Sequence, residues 1–295
     1  MKVLLIRSGG LGDCILTLTV ARVLRDMKPD ASLHILGNAA MLDVARLTKA
    51  FGSYHSLDTA GFSSLYGHSG ATPFLRDFFS SFDEVYFFTS APKESIQHIV
   101  EQSGAGICHV LNPQPPENWR DHAAQHLLRI VGGENTQPHQ PVFPSLRQPQ
   151  PAKVENLLVI HPGSGGVLKN WPVDRFITVA DTWRGEVLFA LGPAELERGY
   201  EDEIPSRFTV AAPKTILEMA DAIASASVYL GNDSGASHLA SLCRTRSIVL
   251  FGSTDPDVWR PLGDEVTVLI SSDGVMEGIH TAQVIDTLEM VWPLS

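Results

Sequence analysis

Gly231-Asn232-Asp233-Ser234-Gly235-Ala236-Ser237-His238-Leu239-Ala240 follows the apolar run Ser227-Val228-Tyr229-Leu230 and opens into 236–243, whose composition favours a helix. A buried strand, a turn of small residues and a helix start form the unit from which parallel α/β sheets are built. At such a turn the first backbone N–H groups of the helix lack intrahelical partners and the helix dipole is positive, which suits a phosphate or a carboxylate. Asp233 and Ser234 are also good N-cap residues, and Gly235 lets a ligand come close to the backbone. A capped helix without a ligand uses the same residues, so this stretch alone leaves both readings open.

The same pattern repeats toward both ends of the chain. Val3-Leu4-Leu5-Ile6 is a branched apolar run that ends in Arg7-Ser8-Gly9-Gly10-Leu11-Gly12-Asp13, after which Ile15, Leu18, Val23 and Leu24 recur at roughly helical spacing. With 32–36 read as a second strand, the chain opens on a strand, helix, strand unit, which implies a right-handed parallel crossover. Strands at 83–88 and 106–111 and helices at 93–102 and 118–131 continue the alternation, while 52–73, rich in Gly, Ser and His, reads as loop. The stretch 132–153, rich in Pro and Gln, reads as a linker. Beyond it come strands at 156–160, 186–190, 227–230, 247–251 and 266–270, with helices at 174–183 and 214–224 and a last one at 282–292. The expected fold class is α/β, with two doubly wound Rossmann-like lobes, 1–145 and 153–280, facing each other across a cleft and 281–295 as a closing helix.

Composition narrows the function. Across 295 residues the apolar share is 44% and the charged share 19%, ordinary values for a soluble globular protein. Lys and Arg total 22 against 33 for Asp and Glu, a formal net charge of -11, and no basic run occurs. Nucleic acid is therefore not an expected partner, because its binding depends on a basic surface. Cys14, Cys108 and Cys243 are far apart and form no Cys-x-x-Cys pair, which argues against a zinc site and fits a reducing compartment. The four apolar residues before Arg7 are too few for a signal peptide core, and no stretch approaches the roughly 20 apolar residues of a membrane span. A cytoplasmic protein without a transmembrane segment is the expectation.

Two phosphate-binding readings fail on spacing. Gly10-x-Gly12 would need a third glycine where Ile15 stands, and the second strand ends at Leu36-Gly37-Asn38 without an acid for a ribose, which disfavours a nicotinamide cofactor. His161-Pro-Gly-Ser-Gly-Gly-Val-Leu-Lys169 is not a Walker sequence, since Lys169 does not follow a glycine and Asn170 replaces Ser or Thr. The turns 8–13, 162–169 and 232–235 nevertheless all sit where strands should end, and ligands of open α/β sheets bind beyond the carboxyl ends of strands. Glycines that admit a backbone, the Ser164 hydroxyl and the Lys169 cation together make a candidate diphosphate site.

These residues bring the chain to a family. It resembles the heptosyltransferases of bacterial envelope biosynthesis, glycosyltransferase family 9. The resemblance is carried by Arg7-Ser-Gly-Gly-Leu-Gly-Asp13, His161-Pro-Gly-Ser-Gly-Gly-Val-Leu-Lys-Asn-Trp-Pro172, Asn232-Asp-Ser-Gly-Ala-Ser-His-Leu-Ala240 and Leu250-Phe-Gly-Ser-Thr-Asp-Pro256 with Trp259 and Pro261. Weaker matches lie at Trp119-Arg-Asp-His122 and around Met276 and Ile279–Val284, in the family's order.

The resemblance implies a GT-B fold, with an acceptor-binding first lobe and a nucleotide-sugar-binding second lobe. It implies inverting transfer of a sugar, typically heptose from ADP-heptose, to a hydroxyl of a lipopolysaccharide-core or other envelope saccharide, and it allows peripheral membrane association. Asp13 would remove the acceptor's hydroxyl proton; the N-cap of the first helix is the competing role. Lys169 would stabilise the leaving phosphate, with Ser164 and Gly165 on the same diphosphate. Asp233 would hold sugar hydroxyls, and Ser234, Gly235 and His238 would approach the phosphates. Glu195 falls at the family's ribose-binding acid, although a first-turn helix acid looks the same in sequence. Lys214 would lie near the base, and Arg7 and Arg120 could face an anionic acceptor. Neither a cofactor nor a metal is expected, because Lys169 and helix-end amides could balance the charge on the leaving group. A catalytically silent nucleotide-sugar binder, or a GT-B epimerase or hydrolase, would use the same second-lobe residues.

Overall fold

The computed structural model describes residues 1–66, 70–91, 93–132, 142–146 and 150–293. Most of the stretch read as a linker, 133–141 and 147–149, lies outside the described residues. The chain divides into two compact units, Met1–Arg147 and Gln148–Ser295, each built on one parallel sheet.

The first unit runs β1 (Lys2–Arg7), α1 (Leu11–Met27), β2 (Ser32–Gly37), α2 (Ala39–Arg46), β3 (Ser53–Ser56), α3 (Pro73–Phe79), β4 (Glu84–Phe88), α4 (Lys93–Gln102), β5 (Ile107–Leu111) and α5 (Ala123–Gly132), with a 3-10 turn at Ala60–Tyr66. Its sheet order is β3-β2-β1-β4-β5. Central strands β1 and β4 are apolar because both faces are covered, and Leu4, Ile6, Val85 and Phe87 sit in one core with Phe79, Ile96 and Val100.

The second unit runs β6 (Leu157–His161), α6 (Val173–Thr182), β7 (Glu186–Ala190), α7 (Pro193–Glu197), α8 (Tyr200–Glu203), β8 (Thr209–Ala211), α9 (Ile216–Ser225), β9 (Val228–Asn232), α10 (Gly235–Leu242), β10 (Ser247–Phe251), α11 (Pro256–Trp259), β11 (Val266–Ile270) and α12 (Thr281–Val291). Its order, β11-β10-β9-β6-β7-β8, reverses direction between β6 and β9. That is the doubly wound arrangement whose ligands lie at the reversal point. Trp171, Phe176 and Phe189 fill its core, and α12 contributes Val284 and Leu288.

The expected loop at 52–73 is corrected. It contains β3, the 3-10 turn and the start of α3. Ser53-Tyr54-His55-Ser56 has no apolar run because it pairs with β2 on one side only and is half-buried. In it the Ser53 hydroxyl is shared by His34 Nδ1, 2.6 Å, and His55 Nε2, 2.7 Å. β8, at the other sheet's edge, escapes a pattern search because its three residues are too few to show a period.

Away from the carboxyl ends of the strands, at the amino end of β4, Glu84 is 5% exposed. It accepts hydrogen bonds from Tyr86 Oη, 2.8 Å, and His109 Nε2, 3.0 Å, and pairs with Lys28 Nζ at 2.7 Å. Burial alone would push this carboxyl up, but the hydrogen bonds from Lys28, Tyr86 and His109 and the lysine's charge outweigh it and hold it below the usual range. The folded carboxyl thus binds its proton less tightly than the unfolded one. The stabilisation is complete above the ordinary glutamate pKa of about 4.3 and is lost as pH falls through the lower folded value. Glu84→Gln is expected to cost about 2 kcal/mol at neutral pH, the scale of a charge-assisted hydrogen bond. Denaturant unfolding should show the two proteins converging below about pH 4; a pH-independent gap would rule out the charge as its source.

Candidate active site

In the second unit the loops that leave β6 and β9, adjacent strands at the reversal point, are tied together by their own polar groups. Asn232 is fully buried, its Nδ2 donating to Pro162 O at 2.7 Å and its Oδ1 accepting from Trp171 N at 3.1 Å. Ser164 Oγ donates to Asp233 O at 2.9 Å, and Arg198 Nη1 donates to Ser164 O at 3.0 Å. Lys169 closes the 3-10 turn Val167–Lys169 and places Nζ 2.6 Å from Asp233 Oδ2. Thr254, in the turn after β10, donates to that same oxygen at 2.7 Å. A side chain at Gly165 would meet open space, so a ligand can lie against this backbone.

Ser234, not Asp233, caps α10, accepting from Ser237 N at 3.4 Å. That leaves the Asp233 carboxylate for Lys169, Thr254 and a ligand. Gly235 is the first residue of α10, and His238 is buried one turn in.

Glu195 lies in the first turn of α7, 4% exposed, with Oε2 accepting from Gly192 N at 2.9 Å. A Cβ on Gly163 would stand 1.8 Å from Glu195 Oε1, so the phosphate-loop candidate and the ribose-acid candidate are in direct contact and only glycine fits between them. His161 Nδ1 donates to Ala190 O at 2.8 Å, which puts the proton on that nitrogen and turns Nε2 toward Glu195 Oε2, 3.9 Å away. Lys214 is exposed just beyond β8, its backbone N–H donating to Glu218 Oε2 at 2.7 Å.

In the first unit Asp13 is in the first turn of α1, whose N-cap is Gly10 without a side-chain bond, so the carboxylate is not consumed by capping. Its Oδ1 is 3.5 Å from Arg7 Nη2. Arg7 is 4% exposed and shows its guanidinium to Asp13 rather than to solvent, with a buried Nε that has no hydrogen-bond partner among the described residues. Asn38, the N-cap of α2, donates to Gly9 O at 3.1 Å and so pins the turn. Burial pushes the neighbouring Cys14 thiol up to about 12, so it stays protonated at neutral pH. Arg120 is exposed and folds onto its own loop, donating to Trp119 O at 3.0 Å.

The structure thus brings Ser164, Lys169, Asp233 and Glu195 into one neighbourhood and pairs Arg7 with Asp13. Sequence reading assigned no role to Asn232, Arg198 and Thr254. Asn232 and Thr254 lie inside quoted motifs, but their partners come from loops 61 to 70 and 21 residues away.

Residues 117–286 match glycosyltransferase family 9 (heptosyltransferase). The chain belongs to that family. Family 9 membership covers Ser164, Lys169, Glu195, Lys214, Asp233 and His238, whereas the turn holding Asp13 precedes the matched stretch. Lipopolysaccharide heptosyltransferase 3 from Escherichia coli is 30% identical over 128 residues, 40% of this chain and 38% of that protein, so the match spans well under half of that relative. A family 9 glycosyltransferase from Veillonella parvula aligns at TM-score 0.78 and 19% identity, covering 98% of this chain and 96% of that one. The E. coli ADP-heptose lipopolysaccharide heptosyltransferase II also gives 0.78 at 19% identity, over 99% and 98%. These two likenesses establish the shared fold. Among the described residues no helix is long and apolar enough to cross a membrane.

Proposed function

We propose that this family 9 protein is a metal-independent inverting glycosyltransferase that moves a heptose from ADP-heptose to a hydroxyl of a lipopolysaccharide-core or other envelope saccharide. The observation that carries this reading is the order of groups along the carboxyl edge of the second sheet. From β9 through β6 and β7 to β8 come Asp233, the loop of Ser164 to Lys169, Glu195 and Lys214. A nucleoside diphosphate sugar laid along that edge presents sugar, diphosphate, ribose and base in the same order. The acid at one end accepts from sugar hydroxyls, the cation and open glycine backbone take the diphosphate, and the second acid accepts from the ribose.

In the reaction Asp13 takes the acceptor hydroxyl's proton as its oxygen bonds to the anomeric carbon, and the carbon–oxygen bond to the diphosphate breaks on the opposite face. The electron pair leaves with ADP, where Lys169 and the first amides of α10 offset the growing charge. The choice of adenine and heptose is supported by likeness to an ADP-heptose lipopolysaccharide heptosyltransferase, and the acceptor class by likeness to lipopolysaccharide heptosyltransferase 3.

The test is nucleotide release from ADP-heptose with and without lipopolysaccharide-core acceptors, read with mass spectrometry of the product. ADP release that requires the acceptor and adds one heptose to it is expected. Release without acceptor would mean hydrolysis, and no release with any acceptor would leave a silent binder. In thermal shifts ADP should stabilise the protein, by about 2.7 kcal/mol at a hundred times its Kd. Stabilisation by UDP but not ADP would overturn the donor assignment.

A further inference from the structure

In the proposed reaction Lys169 serves the leaving diphosphate and Asp233 serves a sugar hydroxyl, yet here the two hold each other at 2.6 Å. A bound diphosphate competes with Asp233 for the three N–H donors of the Lys169 ammonium. The carboxylate is 6% exposed, and when the lysine turns to the diphosphate it has one holder fewer to fix its rotation. One group stays on it. Thr254 Oγ1 lies 2.7 Å from Asp233 Oδ2, and because an ionised carboxylate only accepts, the threonine hydroxyl donates.

The turn that carries Thr254 is held independently of the ion pair. A Cβ on Gly252 would lie 2.8 Å from Met276 Sδ and 3.1 Å from Met276 N, so the turn packs directly on buried Met276. On the other side Asp255 caps α11, accepting from Asp257 N at 3.0 Å. Lys169 and Thr254 both bond Oδ2, and neither consumes Oδ1.

We infer that Thr254 is a positioning residue for the sugar of the donor: its hydroxyl keeps hold of Asp233 Oδ2 while Lys169 is on the diphosphate, so that Oδ1 stays presented to a sugar hydroxyl. The inference rests on the glycosyltransferase reading above. It deepens that reading by naming a side chain that acts only on the sugar end of the ligand. A charge-assisted hydrogen bond is strong enough to fix the carboxylate's rotation, and the β-branched threonine has few rotamers to leave it.

The experiment compares Thr254→Val, which keeps the shape and removes the hydroxyl, with Thr254→Ser, which keeps the hydroxyl. Titration calorimetry of the full-length protein measures ADP and ADP-heptose separately. Valine is expected to weaken ADP-heptose by about tenfold, the scale of one hydrogen bond to a charged group, and to leave ADP within about twofold. Serine is expected to restore ADP-heptose binding. Equal weakening of ADP and ADP-heptose would mean that the substitution only disturbs the loop, and no weakening of either would mean that Asp233 needs no second holder; both results overturn the inference. A wild-type protein with no affinity for ADP-heptose would instead overturn the glycosyltransferase reading, and that outcome is visible before any variant is made.

Discussion

Asp13→Asn is expected to lower transfer from ADP-heptose by about a hundredfold to ten-thousandfold, the usual contribution of a positioned general base. The substitution is close to isosteric. The amide oxygen can still accept from Arg7, which now lies 3.5 Å from Oδ1, and Asp13 makes no capping bond whose loss would loosen α1. With a side chain 36% exposed, the position is also not part of the core. Stability should fall by about 1 kcal/mol, because nearly buried Arg7 loses the counter-charge of its partly exposed partner, while the rate collapses. Donor affinity should be unaffected, since the groups assigned to the donor all belong to the second unit. The measurement is kcat with saturating donor and acceptor, beside the Kd for ADP-heptose. A variant that transfers at more than about a tenth of the wild-type rate would remove Asp13 from the base role, given the lower bound for that kind of catalysis.

Lys169→Met is expected to lower kcat by about a hundredfold to a thousandfold, the scale for losing one preorganised group on a developing negative charge. It also weakens ADP, because the same cation faces the ground-state diphosphate. Its effect on stability has a separate origin. The ion pair joins a lysine that is 35% exposed to a carboxylate that is 7% exposed, so removing the lysine leaves a nearly buried anion held, among the described residues, by the Thr254 hydroxyl. That costs about 1 to 2 kcal/mol, between the values for a surface pair and a buried one. The double variant Lys169→Met with Asp233→Asn should recover much of that stability, because no unpaired charge remains, and should recover none of the activity. If activity returned with stability, Lys169 would matter for the shape of the site and not for the leaving group.

The two lobes were legible along the chain because buried parallel strands are apolar on both faces and stand out between helices. All the apolar strands expected from the sequence occur within a residue or two of their expected places. What escaped were the two shortest edge strands. β3 and β8 have four and three residues and carry Ser-Tyr-His-Ser and Thr-Val-Ala, too short and too polar for an apolar run, whereas the five-residue edge strands β5 and β11 are rich enough in aliphatic residues to show. α3, whose first residue ends the expected loop and whose other six were given no element, was missed although Thr72, which accepts from Leu75 N, and Pro73 form an ordinary helix start. Its short aromatic-rich body offers too few turns for a period to show.

The candidate site divides in the same way. Glycine turns after strands, the Lys169 cation and the acids at 13, 195 and 233 could be named from sequence, since residue types and their place after a strand are local properties. Whether Asp13 capped α1, which residue capped α10, and that Arg7 faces inward to Asp13 depended on the backbone path at each turn. What the sequence by itself determined was the doubly wound α/β architecture and the kinds of group at its strand ends, because hydrophobic periodicity and turn chemistry act over a few residues. Only the tertiary structure decided that Lys169 and Thr254 share one oxygen of Asp233 and that Glu195 presses on Gly163. Those contacts join segments 21 to 64 residues apart, and their geometry is set by strand order, to which side-chain patterns along a chain are blind.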